Sequence, residues 1–309
     1  MHKYILRRLL LLIPVMLGVS FIVFTMMYFT PGDPARIMLG ESAPEAEVVR
    51  LREELGLDDP YLVQYVRYVK NAVVHQDIGR SYATKRLVFT EIASRFPNTL
   101  KLAALGVLVA VILGVPTGII SATKQYSLFD NIAMVLALVG VSMPNFWQGL
   151  LLIILFSINL GWLPSSGFDS FKQMILPALT LGTSSAAIIT RMTRSSMLEV
   201  VRQDYIRTAR AKGQVESVVI NQHALKNALI PIITVIGLQF GYLLGGAVLT
   251  ESIFSITGVG RLMVDSIKSR DYPIVQGGVL FIAITFSIVN LCVDILYAFV
   301  DPRIKSQYK

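Results

Sequence analysis

Few side chains in this sequence have the type and spacing that chemistry requires. The three histidines, His2, His75 and His223, are far apart, and none has the spacing of a metal ligand. The one cysteine, Cys292, lies in an apolar run, which excludes an intrachain disulfide and a cysteine-based metal site. The phosphate-binding pattern G-x-x-x-x-G-K-S/T, the zinc pattern H-E-x-x-H and the nucleophile pattern G-x-S-x-G do not occur. We therefore expect no enzyme and no metal or cofactor bound by this chain.

Two polar groups remain as candidates for chemistry. The stretch 164–167 contains two serines but has no partner histidine, so an intramembrane serine protease is poorly supported. Asp294 is the clear acidic residue inside an apolar run, and ionisable groups within a membrane are functional candidates by default. Asp294 lies near the end of that run, where its carboxylate can contact water or a basic neighbour. A structural role is therefore the alternative to a functional one. A proton-coupled carrier would need a relay of such groups, which the sequence does not supply.

The elements that position these residues must be membrane helices. Of the 309 residues 54% are hydrophobic and 16% charged, and the mean hydropathy is +0.61. A soluble domain carries about 25% charged residues, so a soluble enzyme is disfavoured. The high apolar content combined with the low charge excludes a disordered chain. Lys and Arg number 28 against 20 acidic residues. No basic stretch alternates with aromatic residues, so we attribute this excess to cytoplasmic loops rather than to nucleic-acid binding.

Six apolar runs are long enough to cross a bilayer, whose core requires roughly 20 apolar residues in a helix. They lie at 9–29, 100–122, 132–160, 175–190, 228–250 and 278–300. The first is too long for a signal peptide and no small-residue cleavage site follows it, so we expect it to remain as an anchor. The fourth is diluted by hydroxyl residues, and we expect it to lie inside the bundle. The predicted fold class is an all-α integral membrane protein.

The connecting segments predict the orientation and the division of the chain. In the short segments, 14 Lys and Arg residues lie on the side of the two termini, so both termini should be cytoplasmic. Residues 1–98 then form an N-terminal region whose segment 30–98 is extracytoplasmic. Residues 99–300 form a transmembrane domain with a cytoplasmic loop at 191–227, and 301–309 is a cytoplasmic tail.

The extracytoplasmic segment predicts two helices. A charged helix should cover Glu45–Leu55 and end at Gly56, and a second helix should begin near Pro60. Apolar residues and tyrosines then form two stripes at helical spacing within 61–73. These stripes either pack against the domain or the membrane interface, or form a docking surface for an external partner.

The most informative stretch lies between the fourth and fifth runs. It is basic and helical in composition, and Asp204 can cap a short helix Tyr205–Lys212 that Gly213 ends in a left-handed conformation. A short helix held between two spanning helices would transmit the displacement imposed by another protein. A solvated basic loop attracted to anionic lipid is the alternative.

This stretch resembles the cytoplasmic loop of binding-protein-dependent ABC importer permeases, whose general pattern is E-A-A-x3-G-x9-I-x-L-P. Arg207, Thr208 and Ala209 stand at the E-A-A positions and Gly213 at the glycine, and Pro231 ends the motif five residues later than the general pattern requires. This form is similar to the dipeptide/oligopeptide permease family, first-permease type. The resemblance extends along the chain through PGDP at 31–34, VSMPNFWQGL at 141–150, RMTRSSMLEV at 191–200 and RDYPIVQGGVL at 270–280.

The resemblance implies a permease with the type I ABC importer fold, six transmembrane helices and an extracytoplasmic insertion after the first. It implies a bacterial cytoplasmic membrane, a second homologous permease, two ATPase subunits that hold ATP and Mg²⁺, and an extracytoplasmic substrate-binding protein. The cargo would be a short peptide, with nickel chelates or glutathione as alternatives within the family. A homodimeric ion-coupled carrier is the alternative from another class. The implied coupling helix comprises Asp204, Tyr205, Ile206, Arg207, Thr208, Ala209, Arg210, Ala211, Lys212 and Gly213.

Two further sets of residues bear on the path and on assembly. Pro144 interrupts the third run, and the neighbouring Ser142, Asn145 and Gln148 either line a pathway or form interhelical hydrogen bonds. In the fifth run, small residues recur every four positions and allow a second helix to approach closely. That helix belongs either to the second permease or to this chain. The small residues are Gly237, Gly241 and Gly245.

Overall fold

Helices make up the regular structure of this protein. A computed structural model describes residues 2–300, and the side chains at 2–5, 7, 246, 294 and 296–300 are outside that description. Within the described residues the chain forms no sheet, and Arg80 and Leu87 form an isolated antiparallel bridge. The all-α prediction is confirmed. The side chain of Asp294 and the predicted tail 301–309 lie outside the described residues.

The N-terminal part contains one long helix and three shorter ones. They are α1 (His2–Tyr28), α2 (Pro34–Leu39), α3 (Glu45–Leu55) and α4 (Tyr61–Val74). Asp33 caps α2 by accepting a hydrogen bond from the N–H of Ala35 at 3.0 Å. Gly56 ends α3 with φ +62°, as predicted. Pro60 immediately precedes α4 rather than occupying its first turn.

The second and third predicted spans differ from the structure in length and shape. The elements are α5 (Val88–Thr123), α6 (Leu128–Ser142), α7 (Asn145–Leu152) and a π-helical continuation, Ile153–Asn159. α5 begins 12 residues before the predicted start at 100 and crosses the predicted domain boundary at 98/99. Helix α6 meets the segment Asn145–Asn159, which comprises α7 and its π-helical continuation, at an angle of 105°. Met143, which precedes Pro144, is extended because a following proline disfavours helical backbone.

The segment 191–227, predicted as a cytoplasmic coupling loop, is largely helical. Helix α8 (Phe171–Val201) continues for almost three turns beyond Arg191, and helical backbone follows again in the segments after it. The intervening and following elements are α9 (Asp204–Ala211), α10 (Glu216–Val218), a π-helical turn Val219–Ala224 and α11 (Leu225–Gly246). Hydropathy ends where the helix leaves the membrane, but backbone hydrogen bonds and packing at Thr193 and Met197 carry α8 further.

The C-terminal part contains two short helices and one long one. They are α12 (Val248–Ile253), α13 (Val259–Lys268) and α14 (Tyr272–Val300). Over the described residues, five helices are long and apolar enough to cross a membrane, or six spans if the bent pair α6–α7 counts as one. Six spans were expected from the sequence.

Helix α8 lies at the centre of the bundle and packs on α5, α6, α7 and α11. Of the five long helices it is the most buried. A Cβ added at Gly114 of α5 would lie 2.9 Å from the carbonyl oxygen of Ala186, so glycine allows the two backbones to approach closely. The hydroxyl of Thr180 donates to the carbonyl of Leu176 at 2.8 Å. The prediction that the fourth run lies inside the bundle is confirmed.

The loop before α5 is fixed to the start of α14. Asp271 is buried and accepts hydrogen bonds from the hydroxyl of Ser81 and from the backbone N–H of Tyr82, the latter at 2.9 Å. Burial, with the nearby Asp271 carboxylate, raises the pKa of Tyr82 to about 12. A Cβ at Gly32, in the PGDP stretch, would lie 3.2 Å from the hydroxyl of Tyr272. The PGDP and RDYP stretches therefore meet in the fold.

Candidate functional site

Helix α9 is held to the bundle through a small apolar face. Ile206 is fully buried, and Ala209 is partly buried beside it. Met197 near the end of α8 and Val219 in the π-helical turn belong to the same apolar cluster and are also fully buried. The cluster therefore connects α9 to the C-terminal end of α8 and to the N-terminal end of α11.

The opposite face of α9 is exposed and carries cations. The exposed side chains of the predicted coupling helix are Asp204, Tyr205, Arg207, Thr208, Arg210, Ala211 and Lys212. Asp204 is the first residue of the helix and Gln203 stands at the cap position, so the prediction that Asp204 caps the helix is wrong. The carboxylate of Asp204 instead pairs with Arg207 at 3.4 Å across one turn.

Glycine ends this helix by a backbone conformation that few other residues adopt. Gly213 has φ +76°, and its N–H donates to the carbonyl of Arg210 at 2.9 Å. The predicted stop at Gly213 is confirmed. Arg210 also pairs with Glu216 through two hydrogen bonds at 2.7 and 3.1 Å, which raises the pKa of the Arg210 guanidinium. These bonds connect the last turn of α9 to the start of α10.

A second connection near the C-terminal end of α8 joins this helix to α6. The carboxylate of Asp130 is buried and forms an ion pair with Arg194, which lies in the part of α8 that the sequence placed in a loop. Ser127 accepts a hydrogen bond from the N–H of Asp130 at 3.2 Å and caps α6. The sequence analysis missed this pair, because only the cap Ser127–Asp130 is visible locally and Arg194 is 64 residues away.

The three residues next to the proline break have different environments. Ser142 is exposed and Asn145 is partly buried. The Gln148 amide donates to the hydroxyl of Thr183 on α8, while its carbonyl oxygen is buried and has no partner among the described residues. The interhelical hydrogen bond expected as one alternative is therefore present at Gln148.

Gln148 also borders a cavity between α5, α6 and α8. Its volume is about 530 Å³, and most of its lining is apolar. The polar groups that line it are Gln148, Thr117, Thr183 and Thr190. Ser142 and Asn145 are not among the lining residues. Of the three predicted pathway residues, the structure therefore brings Gln148 alone to a cavity wall.

The small residues of α11 face the last helix of the same chain. A Cβ at Gly237 would collide with Val293, a Cβ at Gly241 would lie 3.0 Å from Phe286, and one at Gly245 would lie 3.6 Å from Ile282. Of the two alternatives for Gly237, Gly241 and Gly245, the structure shows packing of α11 on α14 within this chain. The spacing was informative about close approach, but not about which helix approaches.

A buried carboxylate joins α12 to α5 and α13. Glu251 of α12 accepts hydrogen bonds from the Thr99 hydroxyl at 2.6 Å and from the N–H of Arg261 at 2.9 Å. The Thr99 hydroxyl in turn accepts from the N–H of Val259 at 2.9 Å. Burial raises the pKa of the Glu251 carboxyl, against the opposing effect of these donors. The sequence analysis missed Glu251.

A metal site has no support in the described structure. No group of three His, Cys, Asp or Glu side chains lies close enough to hold a metal ion in the part of the chain that the structure describes. The titratable groups described above are instead engaged in ion pairs, helix caps and contacts between elements.

Models of a known transporter family match nearly the whole chain. The model described as the inner membrane component of binding-protein-dependent transport systems matches residues 114–306. The model of the N-terminal part of such membrane components matches residues 1–103. The chain belongs to this family. The permease is thus a transport subunit, as the resemblance in the sequence implied.

Curated relatives align with the permease from end to end. The dipeptide transport system permease protein DppB of Alkalihalophilus pseudofirmus is 47% identical over 333 residues, covering 99% of this permease and 100% of that protein. The glutathione transport system permease protein GsiC of Escherichia coli is 47% identical over 306 residues and 99% of each chain. The predictions of a multi-pass bacterial permease, and of a transporter subunit rather than an enzyme, are confirmed.

Solved transporters share the fold. A chain of the inward-facing MetNI methionine ABC transporter gives a TM-score of 0.56 at 17% identity, covering 69% of the permease and 97% of that chain. A chain of an amino acid ABC transporter solved with histidines gives a TM-score of 0.52 at 18% identity, covering 70% of the permease and 94% of that chain. The predicted ABC importer permease fold is confirmed.

Proposed function

We propose that this permease is one of two membrane subunits of an ATP-driven importer of short peptides. The relatives named for dipeptide and glutathione transport, each 47% identical and aligned over 99% of the chain, support a peptide cargo. Dipeptides and glutathione share a small size, amide bonds and free carboxylates. A nickel chelate is the alternative cargo, and the uptake assay below distinguishes it.

The observation that carries the mechanism is the two-sided arrangement of α9. One face is fixed to the ends of α8 and α11 by Ile206, and the other presents Tyr205, Arg207 and Lys212 to the cytoplasm. A partner that contacts the exposed face can displace the helix only together with both spanning helices. We assign this face to an ATPase subunit, because the sequence lacks a phosphate-binding loop and the energy must come from another chain.

The remaining partners complete the proposed system. Two ATPase subunits hold ATP and Mg²⁺ on the cytoplasmic side, and an extracytoplasmic binding protein delivers the peptide. This places both termini in the cytoplasm, in agreement with the 14 basic residues on that side. A second, homologous permease encloses the path with this one. Gln148, with Asn145 and Ser142 nearby at the break between α6 and α7, is our proposal for a polar position beside that path.

Purification of the tagged permease from native membranes in mild detergent tests this assembly. A second six-span permease and two ATPase chains should co-elute, and the preparation should hydrolyse ATP in a vanadate-sensitive reaction. A lone chain or homodimer without hydrolysis would overturn the proposal and favour an ion-coupled carrier. Replacing Asp294 with Asn distinguishes the two independently, since severe loss of uptake is expected for a proton-coupled carrier alone.

A pair of variants tests the exposed face itself. Arg207→Ala combined with Lys212→Ala removes two exposed cations from the coupling helix without touching the buried Ile206, and should reduce the amount of ATPase that co-elutes. Glu199→Ala, on an exposed position of α8, serves as the matched control and should retain the partner. Equal retention by both variants would contradict the assignment of this face.

The cargo is tested by uptake into cells that carry or lack the permease gene. A labelled dipeptide and labelled glutathione are supplied separately, and nickel uptake is measured with and without a chelator. Permease-dependent uptake of either peptide supports the proposal, whereas uptake of nickel alone would overturn the peptide assignment. The co-purification experiment tests the assembly independently of the cargo. Failure of the cargo assignment would therefore not change the conclusion about the assembly.

A further inference from the structure

A polar cavity lies where α1 ends and α14 begins. Its volume is about 570 Å³, within the range of roughly 300–1,000 Å³ that small-molecule sites occupy. The end of α1, the PGDP stretch and the first turns of α14 form its wall together with side chains from α3, α4 and the loop before α5. The polar side chains on the wall are Asp33, Arg52, Gln64, Tyr82, Tyr272 and Gln276.

Two hydrogen-bond donors converge over Gly32 on this wall. A Cβ at Gly32 would lie 3.1 Å from Nη1 of Arg270 and 3.2 Å from the hydroxyl of Tyr272. Gly32 has φ +136°, a conformation that favours glycine, and any side chain here would crowd both donors. The glycine therefore keeps the approach to the guanidinium and the hydroxyl open.

Neither donor is engaged by an acceptor of this chain. Tyr272 is 7% exposed, and its hydroxyl has no hydrogen-bond partner among the described residues. Arg270 is exposed and forms no ion pair with any side chain that the structure describes. The neighbouring carboxylate of Asp271 is bound by Ser81 and Tyr82 instead. A guanidinium beside a buried, unpartnered hydroxyl is a donor set that suits a carboxylate.

A partly compensated negative charge lies next to these donors. The carboxylate of Asp33 lines the cavity, accepts from the N–H of Ala35 at 3.0 Å and pairs with Arg52 at 2.9 Å. Arg52 also pairs with Asp58 at 2.6 Å, so the three charged groups carry one negative charge in excess. This excess favours a cation at Asp33. A dipeptide, whose two residues span about 7 Å when extended, carries a carboxylate and an ammonium group at such a separation.

Uncharged polar side chains complete the wall. Gln276 lies one turn after Tyr272 on α14, and its side-chain amide forms no hydrogen bond within the described part of the chain. The amide nitrogen of Gln64 donates to the carbonyls of Leu57 and Asp59, each at 2.8 Å, which leaves its oxygen as an acceptor. Side-chain amides can both donate to and accept from peptide groups. The cavity thus offers partners for the backbone of a peptide as well as for its charged ends.

We propose that this cavity binds the cargo peptide, with its carboxylate on Arg270 and Tyr272 and its ammonium group at Asp33. The inference rests on the proposed peptide cargo and on the proposed orientation, which places the ends of α1 and α14 that form the cavity on the outer side. The permease itself would then select for a free carboxylate, in addition to any selection that the binding protein makes.

Equilibrium binding of a labelled dipeptide to the importer complex tests the proposal. The complex of both permeases and the ATPase subunits is placed in lipid nanodiscs without binding protein, and radiolabelled alanylalanine is the probe. Unlabelled alanylalanine should compete for the site, whereas its C-terminal amide, which lacks the free carboxylate, should compete about ten-fold less well. Equal competition by the amide, or no binding of alanylalanine at all, would overturn the proposal.

Two variants locate the bound peptide. Arg270→Gln and Tyr272→Phe should each weaken the binding of alanylalanine about ten-fold and reduce the preference for the free carboxylate over the amide. Lys268→Gln, an exposed cation two residues from Arg270, and Tyr126→Phe, a 79% exposed tyrosine, are the matched controls and should bind as the unchanged complex does. Binding that is unaffected by Arg270→Gln and Tyr272→Phe would overturn the proposal.

Melting temperatures separate this role from a structural one. The Tyr272 hydroxyl has no partner in the chain, so Tyr272→Phe should not lower the melting temperature without peptide. Saturating alanylalanine should raise the melting temperature of the unchanged complex and raise that of Tyr272→Phe less. A lower melting temperature without peptide, accompanied by an unchanged response to peptide, would assign the hydroxyl to folding and overturn the proposal.

Photolabelling covers the case in which a variant does not assemble. A dipeptide with a photoreactive side chain and both charged ends free is irradiated with the unchanged complex, and the labelled segments are identified by mass spectrometry. Label should appear in segments 24–34 or 272–276, and label found elsewhere alone would overturn the proposal. Permease-dependent peptide uptake by cells, combined with a negative result here, would refute this site alone. Absence of uptake would refute the proposed cargo.

Discussion

Arg194 binds Asp130 through two parallel hydrogen bonds, from Nε to Oδ1 at 2.6 Å and from Nη2 to Oδ2 at 2.7 Å. The backbone N–H of Tyr126 donates to the same carboxylate at 3.0 Å. Through this pair the start of α6 is connected to the C-terminal part of α8, about two turns before α8 ends at Val201. The bent pair α6–α7 and the proposed coupling helix are thus attached to one segment.

Removal of this charge should destabilise the protein. Asp130→Asn leaves the partly buried Arg194 without its carboxylate, and a lost hydrogen bond to a charged group costs about 2 kcal/mol in the free energy of unfolding. The melting temperature in detergent should fall accordingly. Glu54→Gln is the control, because the Arg50–Glu54 pair is 81% and 56% exposed and should contribute little. Equal shifts in the two variants would contradict the structural importance of Asp130.

The effect of substitutions at Gly213, which ends α9, should depend on backbone conformation rather than on the room for a side chain. Nothing lies within 4 Å of a Cβ added at Gly213, so any loss comes from its φ of +76°. Gly213→Val should cost about 1–2 kcal/mol locally and reduce uptake while the protein still reaches the membrane. Gly213→Asn, which tolerates this conformation better, should retain more uptake. Uptake assays with both variants check the difference, and equal activity would contradict it.

Attachment of α9 should depend on Ile206. Ile206→Ala removes buried atoms from the cluster with Met197 and Val219, and truncations of this kind cost about 2–4 kcal/mol. We expect ATP hydrolysis by the complex to become less dependent on binding protein and cargo, because α9 no longer moves with α8 and α11. Val215→Ala, at an exposed position nearby, should leave this dependence unchanged. An Ile206→Ala complex with normal coupling would refute the proposed attachment.

Stability should depend on pH through Glu251. Burial raises the pKa of its carboxyl above the ordinary value of 4.5, so the folded state binds this proton more tightly than the unfolded chain. The stabilisation is complete below pH 4.5 and is lost as pH rises through the raised pKa. Melting temperatures measured across this range should fall with pH. Glu251→Gln should have a flatter profile, and an unchanged profile would show that Glu251 is not the titrating group.

The loss of stability caused by adding a methyl group should differ among the glycines of α11 that face α14. Gly237→Ala forces a methyl group into Val293 and should cost about 1–3 kcal/mol. Gly245→Ala places its methyl at an ordinary distance of 3.6 Å from Ile282 and should be neutral or slightly stabilising. The comparison is made by melting temperature on the isolated permease. Loss that appears in the assembled complex alone would instead indicate a contact with the second permease.

Some features of the site could be predicted because their causes are local. The short helix that Gly213 ends follows from composition and from one residue that adopts positive φ at low cost. Its exact start did not follow, because Gln203 and Asp204 are both polar and the choice of cap depends on where the chain leaves α8. The long helix α8 was cut short at Arg191, since hydropathy reports the surroundings of a helix and not its hydrogen bonds.

The sequence by itself determined the membrane location, the approximate positions of the spans and the break at Pro144. These depend on apolar length and on backbone restrictions that neighbouring residues impose. Only the tertiary structure decided that Arg194 meets Asp130, that Gly237 meets Val293 and that α4 lies along α1. Such contacts join residues far apart in the chain, and a helical period specifies a face but not the element that packs against it.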